Sequence, residues 1–147
     1  MTWSWLFSFW RKPARTHPES HRAGAWGEAL AADHLKQKGY RILGRNVRFG
    51  SRSELDIVAR SPSPEALVFV EVKTRRSETH GRPIDFVDRG KRRALGRAAH
   101  HYLRRLSAHP ARIRFDVIEI VGRPGDNPPE IRHIENAFTP WPNYRIR

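Results

Sequence analysis

The sequence predicts an α/β sandwich with a mixed central sheet, its elements in the order α-β-β-β-α-β. Three observations lead there. Two segments, one beginning near Ala23 and one near Asp88, carry apolar residues at helical spacing. Three short runs rich in β-branched and aromatic residues lie between them, and a fourth follows the second helix. Two of the middle runs are joined by a short proline-bearing loop, the pattern of an antiparallel hairpin.

Each element has its own signals. In "GEALAADHLKQKG", Ala25, Ala29 or Leu30, Ala32 and Leu35 form one helical stripe, and Gly39 supplies a C-terminal stop. "YRILGRNVRF" alternates through Tyr40 and Ile42, breaks at Gly44 and resumes at Val47 and Phe49, so the first strand is expected to bend. Residues 50–53 read as a turn, "ELDIVAR" as the second strand, "SPSPEA" as a loop and "LVFVEVKTR" as the third strand. The second helix is expected from Asp88 to Leu106, with Leu95, Ala98, Ala99, Tyr102 and Leu106 on one face. "RIRFDVIEIVG" gives a fourth strand over 112–121, and a last short strand is expected near 131–134. Residues 1–22 read as a Trp-rich, then polar, tail and linker, 23–122 as the domain, and 123–147 as an irregular Pro-rich extension. No internal repeat is present.

The chain has 147 residues, enough for one domain with a real core. Its 28 Lys and Arg outnumber 15 Asp and Glu, for a formal charge of +13. Such an excess attracts polyanions at long range, nucleic acid first and anionic membrane second. The absence of cysteine excludes disulfides, thiolate zinc sites and cysteine catalysis, and fits a cytoplasmic protein. The run Trp3 to Trp10 is too short to span a bilayer and lacks the marks of a signal peptide. Membrane contact through residues 3–12 is the less favoured reading; a loosely ordered tail is the preferred one.

Glu71 and Lys73 interrupt the apolar third strand at alternate positions, so they share a face roughly 6.5–7 Å apart at the backbone. Placing Val58 opposite Phe69 brings Asp56 opposite Glu71 and leaves 61–66 as the loop. Asp56, Glu71 and Lys73 then cluster, with Glu54 close by. Two converging carboxylates suit Mg²⁺ or Mn²⁺, which needs only one or two of them besides water and phosphate oxygens. A neighbouring lysine can hold water or stabilise charge on a phosphate. A solvated Glu-Lys face on a half-exposed sheet is the alternative.

Gly27-Glu28 on the first helix, Glu54-Leu55-Asp56, "VFVEVKTR", "KRRAL" and "RFDV" together resemble the YraN family. These are small bacterial proteins predicted to be nucleases and distantly related to archaeal Holliday junction resolvases. The resemblance runs from about Gly24 to Val121. It implies a restriction-endonuclease-like fold, Asp56 and Glu71 as metal ligands, Lys73 as the catalytic lysine and Glu28 as a further acid; Glu54, on the same strand face as Asp56, is the other residue expected to assist. It also implies a homodimer, since related resolvases cut both strands of a symmetric junction. Ser53 stands where the family usually has glycine.

Residues 89–115 contain no carboxylate. On the second helix Arg93, Arg97, His100 and Arg104 fall within roughly 60° of one another, opposite the apolar stripe. A single-sign face repels itself, so a polyanion is the economical partner. Arg75, Arg76, Arg82, Lys91, Arg92 and Arg93 could line a phosphate track beside the acidic cluster. The expected function is a metal-dependent endonuclease acting on DNA, branched DNA included; the alternative is a nucleic-acid-binding module that cleaves nothing.

Overall fold

The computed structural model describes residues 18–77 and 87–140. The expected Trp-rich tail, with the reading of residues 3–12 as a membrane contact, and Arg82 lie outside the described residues. Helix α1 spans Pro18–Gln37, followed by β1 (Arg41–Phe49), β2 (Ser53–Arg60), β3 (Leu67–Arg75), α2 (Arg89–Leu103), β4 (Ile113–Val121) and β5 (Glu130–Ile134). The order α-β-β-β-α-β is as the sequence predicts, with the short last strand present. The five strands form one mixed sheet in the order β1-β2-β3-β4-β5, antiparallel throughout except for the parallel β3–β4 pair.

Helix α1 starts five residues before the expected Ala23 and ends as Gly39 requires. Gly39 adopts φ +84°, its N–H donates to the Lys36 carbonyl, and the Tyr40 N–H reaches back to Leu35. This is a Schellman closure, in which glycine tolerates the left-handed turn. Strand β1 shifts register between Ile42 and Gly44, at the expected bend. It is one edge of the sheet, and its exposed side chains include Arg41, Arg45 and Arg48. Ser53 opens β2 with ordinary strand backbone, so the glycine of the usual family pattern is not needed for its dihedral freedom.

The hairpin register is the expected one: Val58 pairs with Phe69 and Ile57 with Val70. Two cores lie on the two faces. Ala31, Ala32 and Leu35 of α1 cover Ile57, Ala59, Val68, Val70, Val72, Ile118 and Ile120. On the other face Leu95, Ala98, Ala99 and Leu103 of α2 cover Val58, Leu67, Phe69, Phe115 and Val117, with Phe138 from beyond β5. A strand enclosed on both faces is apolar on both, which accounts for the near-continuous "LVFV" of β3.

Helix α2 begins as expected, with the Asp88 carboxylate accepting the Lys91 N–H at 2.8 Å as its N-cap. It closes at Leu103, three residues short of the expected Leu106, because Arg105 and Leu106 bond back three residues in a tight turn. Among the described residues no helix is long and apolar enough to cross a membrane.

Helix α1 presses on β3 at one point. A methyl group built on Gly27 would collide with the Thr74 hydroxyl and crowd its Cβ and Cγ2 at 3.3 and 3.5 Å. Gly27→Ala is expected to destabilise the fold by about 1–3 kcal/mol through overpacking, although alanine is the better helix former by about 1 kcal/mol. Adding Thr74→Ala should recover most of that loss, which urea unfolding of the two single variants and the double variant measures.

Candidate active site

The β2–β3 ladder runs from Arg60–Leu67 to Ile57–Val70 and stops there. Beyond it the Asp56 side chain takes over from the main chain: its Oδ2 accepts the Val72 N–H at 2.9 Å. Alternation along β2 breaks at the same place, with Ile57 and Ala59 in the α1-side core but Leu55 and Val58 in the α2-side core. The two strands therefore part at Asp56, and a buried carboxylate stands in the gap.

Glu71 lies in the middle strand of five and is 1% exposed. An unpaired charge there would cost several kcal/mol even after relaxation. Two ammonium groups compensate it. Lys73 Nζ, two residues along β3, is 2.9 Å from Glu71 Oε1, and Lys91 Nζ, from the first turn of α2, is 3.1 Å from the same oxygen. The other oxygen, Oε2, is buried and accepts no hydrogen bond among the described residues. Burial alone would raise the Glu71 pKa, but attraction to Lys91 and then Lys73 outweighs it and brings the value down to about 2. Burial likewise opposes the charge on Lys91, yet Glu71, Asp56 and Glu54 overcompensate and hold its pKa above the ordinary lysine value.

The expected trio Asp56, Glu71 and Lys73 is thus gathered on one side of the sheet. Glu54 joins at the rim, half-buried and ion-paired with Arg48 at 3.4 Å. Glu28 is buried on α1, next to the Gly27 that touches Thr74, and so approaches the carboxyl end of β3 from the layer opposite Lys91. Among the described residues no three acidic, histidine or cysteine side chains form a group able to cage a metal. The donor set fits a hard cation that keeps waters and phosphate oxygens in its shell, with the orphaned Glu71 Oε2 and the Asp56 carboxylate as protein ligands.

The basic residues divide. Arg76, Arg93, Arg97 and Arg104 are exposed, as a phosphate-binding face requires. Arg75 instead pairs with the buried Glu119 at 2.9 Å, which also meets Arg132 at 3.3 Å. Arg92 donates to the Val87 carbonyl at 2.7 Å and lies over the Phe138 ring. Lys91 is in the acidic cluster. It stands four residues before Leu95 and seven before Ala98, the first position of the buried stripe, a signal that grouping it with its neighbours Arg92 and Arg93 hides.

Asp116 takes no part. It faces the α1 side, fully buried, where Arg114 binds both its oxygens at 2.8 Å, the His133 ring nitrogen lies 2.7 Å away and the Asn136 N–H donates at 2.9 Å.

Because Glu71 titrates lower in the folded chain than its ordinary value of 4.5, its contribution is present above that pH and drains away as pH falls toward about 2. On the order of 3 kcal/mol rides on it. Denaturant unfolding across this range should show a steeper acid loss in the wild type than in Glu71→Gln.

Residues 27–120 match the sequence model of a family described as Uncharacterised protein family UPF0102. A UPF0102 protein of Pelobacter propionicus is 46% identical over 121 residues, covering 82% of this chain and 85% of its own. One of Symbiobacterium thermophilum is 47% identical over 119 residues, 81% of this chain and 98% of its own. One of Clostridium acetobutylicum is 38% identical over 122 residues, 83% of this chain and 98% of its own. The matched span holds the whole cluster, from Glu28 through Asp56, Glu71 and Lys73 to Lys91, and the chain belongs to the UPF0102 family, the YraN family that its motifs resemble.

Proposed function

We propose that this protein is a metal-dependent endonuclease that hydrolyses phosphodiester bonds in DNA, branched DNA included. The observation that carries the proposal is the convergence of Asp56, Glu71 and Lys73 where β2 and β3 part, on a chain with an exposed single-sign basic face. A Mg²⁺ or Mn²⁺ ion held by Asp56 and Glu71 would supply Lewis-acid polarisation of the phosphate and acidify a bound water. Lys73, with its side chain 20% exposed, can reach the substrate while touching Glu71 from the same strand. Its role is to orient the attacking water or to stabilise charge growing on the phosphate. Glu54 at the rim and Glu28 from α1 are the candidates to accept the proton. A cytoplasmic setting, which brings the chain into contact with nucleic acid, suits a cysteine-free protein of this charge.

The arginines Arg76, Arg93, Arg97 and Arg104 would grip the phosphate backbone and fix its orientation without reading sequence. The alternative, a module that binds nucleic acid and cuts nothing, draws on the neutralisation of Glu71 by two lysines and the absence of a three-ligand cage among the described residues.

Incubating linear and four-way-junction DNA with the protein and Mg²⁺ or Mn²⁺ separates the two. Cleavage by the wild type, lowered about 10²-fold or more in Asp56→Ala and Lys73→Ala with DNA binding retained, supports the enzyme. Binding without cleavage of either substrate supports the module, and equal cutting by all three proteins removes the site assignment. Binding itself should be steeply salt-dependent. Replacing Arg93, Arg97 and Arg104 together by alanine should lower the slope of log K against log salt by about 2–3, as fluorescence anisotropy between low and physiological salt would show.

A further inference from the structure

The nuclease reading has no use for a second ammonium group inside the acidic cluster, yet Lys91 supplies one. It is held 3.1 Å from Glu71 Oε1, and Asp56 and Glu54 are the next charges acting on it. Its side chain is no more exposed than that of Lys73, 19% against 20%. It sits on the core-facing stripe of α2, behind the Asp88 cap, so the helix aims it at β3 rather than at solvent. Glu71, with the Asp56 carboxylate whose charge also acts on Lys91, supplies the oxygen ligands that a hard cation would find here.

We infer that Lys91 is the site's resident counter-cation, and that a divalent ion enters only as the Lys91 ammonium leaves Glu71. This rests on the metal-dependent reading and adds a regulatory element to it. A divalent ion bound to the open Oε2 of Glu71 would otherwise share one carboxylate with two ammonium groups, and like charges at such range in a buried site repel strongly. Lys73 is fixed on the strand itself. Lys91 has the same four-carbon stem but reaches in from the neighbouring layer, so its withdrawal leaves the Glu71–Lys73 pair of β3 intact. Without a metal the lysine keeps Glu71 ionised and compensated; with a metal it is released toward the surface side of α2, where Arg93 and Arg97 stand exposed. The acidic cluster is thereby kept from standing open as a scavenger of any passing cation.

The test is Mn²⁺ binding by titration calorimetry to the full chain as wild type, Lys91→Met and Lys91→Arg. Lys91→Met is expected to bind Mn²⁺ at least about tenfold more tightly than wild type, as removal of one buried like charge would give, while Lys91→Arg, which keeps the charge, stays close to wild type or weaker. Acetylation footprinting of the wild type supplies a readout that needs no variant: the Lys91 amine should be protected without Mn²⁺ and become reactive when Mn²⁺ is added. Equal or weaker Mn²⁺ binding by a folded Lys91→Met, or Lys91 reactivity indifferent to Mn²⁺, overturns the inference while leaving a metal-binding wild type intact. Failure of all three proteins to bind Mn²⁺ overturns it together with the metal-dependent reading.

Discussion

Glu71 is an ionised carboxylate in the third of five strands, with a helix layered on each face, and water does not reach it. A charge so placed has to be met by opposite charge at contact distance, since the interior offers it little else. Much of the surrounding structure answers to that demand. Lys73 can meet it only because strand geometry puts residues two apart on one face. Lys91 can meet it only if the first turn of α2 lies over the carboxyl end of β3. The cap at Asp88 and the crossover from β3 to the parallel β4 deliver that placement.

The neighbouring buried charges follow the same rule on a smaller scale. Glu119 sits beside Lys73 in the β3–β4 register and is clasped by Arg75 from β3 and Arg132 from β5. Asp116 is clasped by Arg114 and His133 on the other face, and Arg114 extends the contact to Tyr40 after α1. Each clasp joins elements distant in sequence. Such pairs add little net stability over an apolar substitute, but removing one partner strands the other, so they fix which strands are neighbours. The two sides differ in one respect. Asp116 has its hydrogen-bonding capacity filled by protein groups, whereas Glu71 retains an oxygen that accepts no hydrogen bond among the described residues. Saturation marks a structural carboxylate; an open valence beside a gap between strands marks a candidate site.

Much of this was legible in the chain. The α-β-β-β-α-β order, the break at Gly44, the stop at Gly39 and the Val58–Phe69 register follow from periodicities and turn residues, which are local properties. The trio Asp56, Glu71 and Lys73 followed from the hairpin, whose pairing is nearly local too. The partners of Arg75 and Arg92 were not legible, because Glu119 and Phe138 come from later parts of the chain that only the folded sheet brings near. Lys91 was a different case. Its helical phase was readable, but a lysine in a run of basic residues reads as surface until the charge waiting beneath it is known. The early start of α1 at Pro18 was hidden by a polar composition typical of linkers, and proline is well tolerated in a first turn.

The edge strand β1 carries a consequence of another kind. A free edge of nine residues is a template for a second copy of itself, and such templates lead to sheet-to-sheet aggregation. Here Arg41, Arg45 and Arg48 are exposed along it, so two copies approaching edge to edge bring arginine against arginine. The positive charge along this edge therefore keeps the sheet from growing. Pairing of two such edges would need an anion between them to supply the missing negative charge.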